Sequence, residues 1–425
     1  MEYNGPILKM NDSSITDSFG TVHLEDLPDP EPKCDIRLEN TTPLIKRLWK
    51  IALDDVEQNI VETQNGIYLG AGTHFGVTVY TRDISYSGIL GVNDIYPEMM
   101  RRSLEMTRDV RLRLGFRAAR QYAIDEIDAP WIEEDLSESE FKNKYDTNSY
   151  TRRTDDVVWL WAFEDLIDKT GPAEADWQYI HRVGSQCFET LYEPFFDPDD
   201  GLYRGQASFI DIAWEDGHSS GYPQGLNIAD TVLLKASSTN CLYVKGLEVM
   251  ARACRELARD DEAAEWRKRA DDLRRAILDE LLLDDGTLAY YKDRHGKLEE
   301  RREALGAALA VLLDVVEGEQ AKTMLGDYPI TDAGVALIHM FYDDERFYHN
   351  NSAWPFVDTF FLWAWEKATG EDRTAENAAL LGRTCAVDGS FHELVNYKTK
   401  EIAGSAHQLW SAAGFINVCR RRDLF

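Results

Sequence analysis

Between Leu202 and Pro223 the chain reads LYRGQASFIDIAWEDGHSSGYP, a polar, Gly-flanked segment that holds Asp211, Glu215 and Asp216 together with the indole of Trp214 and the imidazole of His218. A second segment, GSFHELVNYKTKEIAGSAHQLWSAAG over residues 389–414, sets Glu393 and Glu401 among Asn396, Tyr397, His407 and Trp410. Carboxylates beside rings and amides suit a sugar, whose hydroxyls need donors and acceptors and whose C–H faces lie on flat π surfaces. Two such loops far apart in sequence fit cleavage of a glycosidic bond, which uses a protonated carboxylic acid and a carboxylate on opposite sides of the ring. An indole such as Trp214 near a carboxyl group supplies an apolar wall that raises its pKa and keeps it protonated near neutrality.

Three further stretches carry candidate sugar contacts. In TRDISYSG (81–88), Arg82 and Asp83 precede a helical run, where Asp83 either caps free N–H groups or accepts from hydroxyls. TDDVVWLW (154–161) places Asp155 and Asp156 at a helix start with the same two readings. Trp159 and Trp161 stand two apart on that helix and cannot face the same way, so at least one belongs to the core. In YHNNSAWPF (348–356), His349, Asn350 and Trp354 offer donors and π surface, and Pro355 suits the first turn of a helix. Tyr348 and His349 equally fit as satisfied core groups. The nine histidines show no HExxH or H-x-H spacing, so no metal or other cofactor is expected. No phosphate-cradling GxxxxGK[ST], no strand-borne GxGxxG and no GxSxG occurs.

These residues need elements to hold them. Residues 1–40 are polar and Pro-punctuated and read as an extended arm over the body, leaving 41–425 as one domain. Leu44, Leu48, Ile51, Ala52, Val56 and Ile60 form one apolar stripe over residues 43–63. Comparable segments at 84–92, 95–114, 154–169, 175–195, 237–258, 261–283, 303–315, 317–325, 354–369, 373–386 and 405–421 bring the expectation to about twelve helices. Short turns alternate with long Gly- and aromatic-rich loops. Short joins make antiparallel hairpins, and long joins gather on one face, where loops carry function. Six hairpins predict an all-α (α/α)6 toroid. An open solenoid is the alternative, against which stands the lack of any fixed-period repeat. Residues 66–80 and 286–292 read as small β-hairpins on the rim.

Composition narrows the partners. The net charge is −30, with 46 Lys and Arg against 76 Asp and Glu, so nucleic acid is an unsuitable partner and a neutral small ligand fits better. The acidity reads as an ordinary solvated surface or as adaptation to salt. Six dispersed cysteines without a CxxC pair read as reduced thiols. Neither a signal peptide nor a run of about 18 apolar residues is visible, which points to a cytoplasmic protein without membrane association. Oligomeric state is not legible.

YRGQASFID (203–211), together with TRDISYSG, TDDVVWLWAFE, EALGAALAVL (303–312), YHNNSAWPFVDTFFLWA (348–364) and HQLWSAAGF (407–415), resembles the six-hairpin glycosidases. The similarity is greatest to bacterial members with the pattern FRG-x-x-S-[YF]-[IL]-D followed by YP, and more distant to the processing α-glucosidase I and trehalase clan. It runs in order from residue 81 to 415. The resemblance implies a glycoside hydrolase, exo-acting and inverting. It aligns Asp211 with the general acid, while the clan's acid directly after a Trp selects Glu215; Ile212 and Ala213 leave that register open. FHELVNYKTKEIAG resembles the clan pattern F-x-E-x-x-N and implies Glu393 as general base, with Asn396 and Tyr397 helping to position a water and Glu401 as rival. The same toroid hosts sugar epimerases, unsaturated-uronide hydrolases and phosphorylases, for which His218, His349 and His407 are the alternative centre.

Overall fold

Helix formation starts cleanly at Thr42, whose hydroxyl accepts the Ile45 N–H at 3.3 Å ahead of Pro43 at the first helical position. The computed structural model describes the chain apart from residues 6–7, 64–65, 77, 115–120, 123–153, 192, 211–219, 227–229 and 232. Among the described residues twelve principal helices follow in order. They are α1 (Pro43–Gln58), α2 (Thr81–Ser87), α3 (Pro97–Leu114), α4 (Asp155–Thr170), α5 (Glu174–Gln186), α6 (Ser237–Glu256), α7 (Asp260–Leu281), α8 (Ala304–Leu312), α9 (Gly318–Leu325), α10 (Pro355–Thr369), α11 (Thr374–Arg383) and α12 (Leu409–Arg421). The helical path of α2 continues to Ile95 through a kink at Gly91.

The even-numbered helices pack as a closed ring: α2 on α4, α4 on α6, α6 on α8, α8 on α10, α10 on α12, and α12 back on α2. The odd-numbered helices lie outside this ring, each against one or two inner helices, with α1 covering α12. This is an (α/α)6 toroid, and ring closure excludes the open solenoid. Burial follows position. The inner helix α8 is apolar all round, with Ala304 to Val311 buried, whereas α7 buries one stripe: Ala263, Trp266, Ala270, Leu273, Ile277 and Leu281. Trp159 is buried in α4 and stacks on Phe163 at 4.7 Å, while Trp161 is only partly covered.

Joins from an inner helix to the next outer one are short, as at 171–173, 257–259 and 370–373. Joins from an outer helix to its inner partner are long, as at 187–236, 326–354 and 384–408, so the long loops gather at the N-terminal ends of the inner helices.

Two expectations change in detail. The stripe of α1 stops at Asn59, and the segment Ile60–Thr63, β-branched at Ile60, Val61 and Thr63, pairs with Gly66–Leu69 as a hairpin. The N-terminal arm is not simply extended. It forms a four-stranded antiparallel meander, β1 (Tyr3–Asn4), β2 (Lys9–Met10), β3 (Ser14–Thr16) and β4 (Thr21–His23), which buries Leu8, Met10 and Ile15 and lies on α11. Arg383 of α11 donates to Asp17 at 2.6 Å, and the Tyr3 hydroxyl donates to Glu376 at 3.1 Å. All six cysteines are free, and all but Cys34 are buried. No helix among the described residues is long and apolar enough to cross a membrane.

Candidate active site

Hydrogen bonds tie the starts of the inner helices together. The Ser208 hydroxyl pairs with Tyr86 of α2 at 2.7 Å and with Thr154, just before α4, at 3.1 Å. The Ser208 N–H donates to Ser238 of α6 at 3.0 Å. Ser238 in turn hydrogen-bonds Glu303, whose carboxylate caps α8 by accepting from Leu305 and Gly306 at 3.1 and 2.9 Å. On the remaining side Phe356 of α10 stacks on Trp410 of α12 at 4.2 Å. Arg108 of α3 joins Thr81 at the start of α2 to Asp156 at the start of α4, so all six starts share one end of the ring, and the loop through Ser208 threads into it.

Glu393 lies at this end. A three-stranded sheet carries it: β5 (Ser352–Ala353), β6 (Leu394–Asn396) and β7 (Ile402–Ala403), with Ala353 opposite Val395 and Leu394 opposite Ala403. Its side chain is buried, and each carboxylate oxygen has one donor. The Tyr348 hydroxyl donates to Oε1 at 2.9 Å and the Ser405 N–H to Oε2 at 3.0 Å. Gly404, at φ +78°, passes so close that a Cβ there would strike the Glu393 carboxylate. Only glycine takes that left-handed conformation without strain while leaving room for the side chain. Burial pushes the Glu393 carboxyl above the usual range, although the Ser405 N–H, the Tyr348 hydroxyl and nearby His74 favour the anion.

An aromatic box stands beside it. Trp354 donates its indole N–H to the Tyr348 carbonyl at 3.1 Å and lies edge-on to that ring, which holds the Tyr348 hydroxyl toward Glu393. His349 stacks on Trp354 at 5.5 Å, and Phe209 meets Trp354 edge-on at 5.1 Å. Phe209 precedes Ile210, whose carbonyl accepts from the Tyr222 hydroxyl at 2.9 Å, and Ser220 accepts the His349 N–H at 2.8 Å. Ile210 and Ser220 flank the acidic segment. Asp211, Trp214, Glu215 and His218 themselves lie outside the described residues.

The other sequence candidates fall into two groups. Arg82 and Asp83 in the first turn of α2, Asp155 at the start of α4 and Trp410 at the start of α12 are buried at the shared end. Asp155 Oδ1, Trp410 Nε1 and both amide atoms of Gln408 find no hydrogen-bond partner among the described residues. Buried polar atoms are rarely left so, and these are groups a polyhydroxylated ligand can satisfy. The second group is committed to the protein. Asp156 pairs with buried Arg108 of α3, which also donates to Thr81 at 2.7 Å. The Asn350 amide serves the Tyr342 N–H and carbonyl at 2.9 and 3.1 Å, and the Asn396 side-chain oxygen Oδ1 folds its own turn by accepting from the Lys398 and Thr399 N–H groups. Glu401 is exposed on that turn. His407 bonds Asp55 of α1 at 2.7 Å, whereas His349 belongs to the aromatic box.

Sequence reasoning missed Ser405, Gln408 and Asp55. Ser405 acts through its backbone, which no side-chain pattern reveals. Asp55 left a signal: it is an acid inside the apolar stripe of α1, three and four residues after Ala52 and Ile51. Two triads bring potential metal-ligand atoms together among the described residues, His181–Cys254–Glu262 and Asp54–Asp55–His407. Each contains an internal hydrogen bond, at 2.6 Å between His181 and Glu262 and at 2.7 Å between His407 and Asp55.

Residues 213–411 match the family model described as the mannosylglycerate hydrolase MGH1-like glycoside hydrolase domain. That match covers just under half of the chain. Solved structures agree with the scaffold. A GH78 family rhamnosidase from Bacillus sp. GL1 superposes with a TM-score of 0.61 at 15% identity, over 93% of this chain and 36% of that one, so this chain spans about a third of the rhamnosidase. The neutral trehalase Nth1 of Saccharomyces cerevisiae gives 0.58 at 14% identity over 84% and 75% of the two chains. A metal-independent alpha-mannosidase from Streptococcus pneumoniae, bound to alpha-1,6-mannobiose, gives 0.60 at 13% over 90% and 95%. At these identities the likeness of this chain to its neighbours is one of fold. Comparison with curated protein sequences gives no match.

Proposed function

We propose that this protein is a glycosidase, exo-acting and inverting, that releases one pyranose from a small neutral or acidic glycoside. Glu393 is the general base in this reading, and Asp211 or Glu215 the general acid. The observation that carries it is the setting of Glu393: a buried carboxylate among the inner-helix starts, gripped through one oxygen by Tyr348 and through the other by Ser405. Each oxygen keeps lone-pair capacity for a water, and a carboxyl raised by burial is a better proton acceptor near neutrality. Arg82, Asp83, Asp155, Trp354 and Trp410 are the proposed sugar contacts.

Single displacement requires acid and base carboxyls about 6.5 to 9.5 Å apart, leaving room for water under the anomeric carbon, against about 5 to 5.5 Å for double displacement. Support comes from the separate origins of the two groups. Glu393 hangs from the 394–403 hairpin, and the acidic segment enters after Ile210 on a different hairpin. The matched family and the mannobiose-bound neighbour make mannosylglycerate and α-mannosides the first substrates to try. Early-time NMR of the released sugar tests the mechanism. The first anomer should be the opposite of that in the substrate, and release of the same anomer would make Glu393 a nucleophile instead of a base.

A further inference from the structure

Asp55 places a carboxylate inside the buried stripe of outer helix α1, at 1% exposure, and each oxygen is committed to a different arm of the 384–408 loop. Oδ2 accepts the Phe391 N–H at 2.7 Å, and Oδ1 meets His407 Nδ1 at 2.7 Å. One turn on, Asn59 donates to the His407 carbonyl at 2.6 Å. The Gln408 N–H then closes the circuit on the Phe391 carbonyl at 2.8 Å. Phe391 lies two residues before Glu393, and His407 two residues after Ser405, whose N–H holds Glu393 Oε2. Helix α1 thus grips both ends of the hairpin that carries the carboxylate. An apolar residue would fill the stripe at lower desolvation cost, so the charge needs a reason beyond packing.

We propose that Asp55, acting through His407 and the Phe391 N–H, is a positioning residue that sets where Glu393 presents its carboxylate to the attacking water. The inference rests on Glu393 as general base. Charged groups facing the pair are Asp54 on α1 and Asp388 on the loop after α11; Asp388 also holds His392 at 3.1 Å, and the Cys385 thiol is buried nearby. Burial raises the Asp55 carboxyl to about 6, and the hydrogen bond that His407 donates to Asp55 raises the imidazole above its ordinary range. The two therefore bear opposite charges in a window that opens near pH 6 and closes above the usual histidine value.

A double-mutant cycle tests the clamp, with an aryl glycoside that the wild-type enzyme hydrolyses as probe. Asp55→Asn should lower kcat about 10-fold or more with KM little changed, since misplacement of a catalytic group by a fraction of an ångström acts on the chemical step. In a Glu393→Gln background the same change should have almost no further effect, because residues acting through one another are not additive. His407→Gln, which keeps a donor toward Asp55, should recover much of the kcat lost in His407→Ala. Should Asp55→Asn fail to fold, the His407 variants carry the same cycle from a side chain that is 34% exposed. Equal fractional losses in both backgrounds, or unchanged kcat in folded Asp55→Asn, would overturn the clamp. Wild-type turnover by Glu393→Gln alone would overturn the base assignment, a separate outcome.

Discussion

Glu393 combines burial with two donors, and the balance between them has kinetic consequences. Glu393→Gln should fold and lose at least about 10³-fold in kcat, because an amide cannot take the proton of water and general base catalysis contributes roughly 10² to 10⁴. The proposed base would work only when ionised, so kcat/KM should rise as pH increases through the Glu393 pKa, and burial moves that limb above the value of an exposed glutamate. The Tyr348 hydroxyl favours the anion; Tyr348→Phe should therefore shift the acid limb further toward alkaline pH and lower kcat at neutrality. A pH–rate profile of both proteins checks this, and an unmoved limb would detach Tyr348 from the titration. Glu393 itself was legible in FHELVNYK from the resemblance of its surroundings. Its partners were legible only in part. Tyr348 read equally well as core, and the Ser405 contact is made by a backbone N–H that any residue but proline supplies.

Helices were the most legible level, because each presents a period that burial on one side enforces. The stripe in α1 and the uninterrupted apolar run of α8 needed no tertiary information. The strands were much less so: those of the N-terminal meander span two or three residues each, too few for alternation to show. Caps lay between these extremes. Glu303 at the start of α8 is fully buried among inner helices, and desolvation raises its carboxyl to about 8 despite hydrogen bonds from Ser238, Gly306 and Leu305. A carboxyl whose folded pKa exceeds its unfolded value contributes stability that is complete below the unfolded pKa of about 4.3 and disappears as pH rises through the folded value. The wild-type protein should then lose that contribution between about pH 5 and 8, whereas Glu303→Gln has none to lose. Melting temperatures measured across this range should show the variant gaining on the wild type as pH rises, and a constant difference would refute the linkage.

At the scale of the molecule, charge and closure do different jobs. A net charge of −30 repels polyanions and keeps the surface hydrated, but it says nothing about which end of the toroid opens to substrate. That follows from the alternation of short and long joins, which sends every long loop to the starts of the inner helices. Ring closure has a further consequence. Because α12 packs on α2 and is covered by α1, the last helix of the chain adjoins the first, and Phe425 lies 4.8 Å from the ring of Trp49. A closed circle of hairpins has no privileged starting point, so the order in which the polypeptide visits them is a matter of covalent bookkeeping. The exposed turn at residues 171–173 sits on the face away from the long loops. A circular permutant opened there, with residue 425 joined to residue 1 through a flexible linker, should fold to the same toroid and hydrolyse its glycoside at near-wild-type kcat, with any loss appearing mainly in melting temperature.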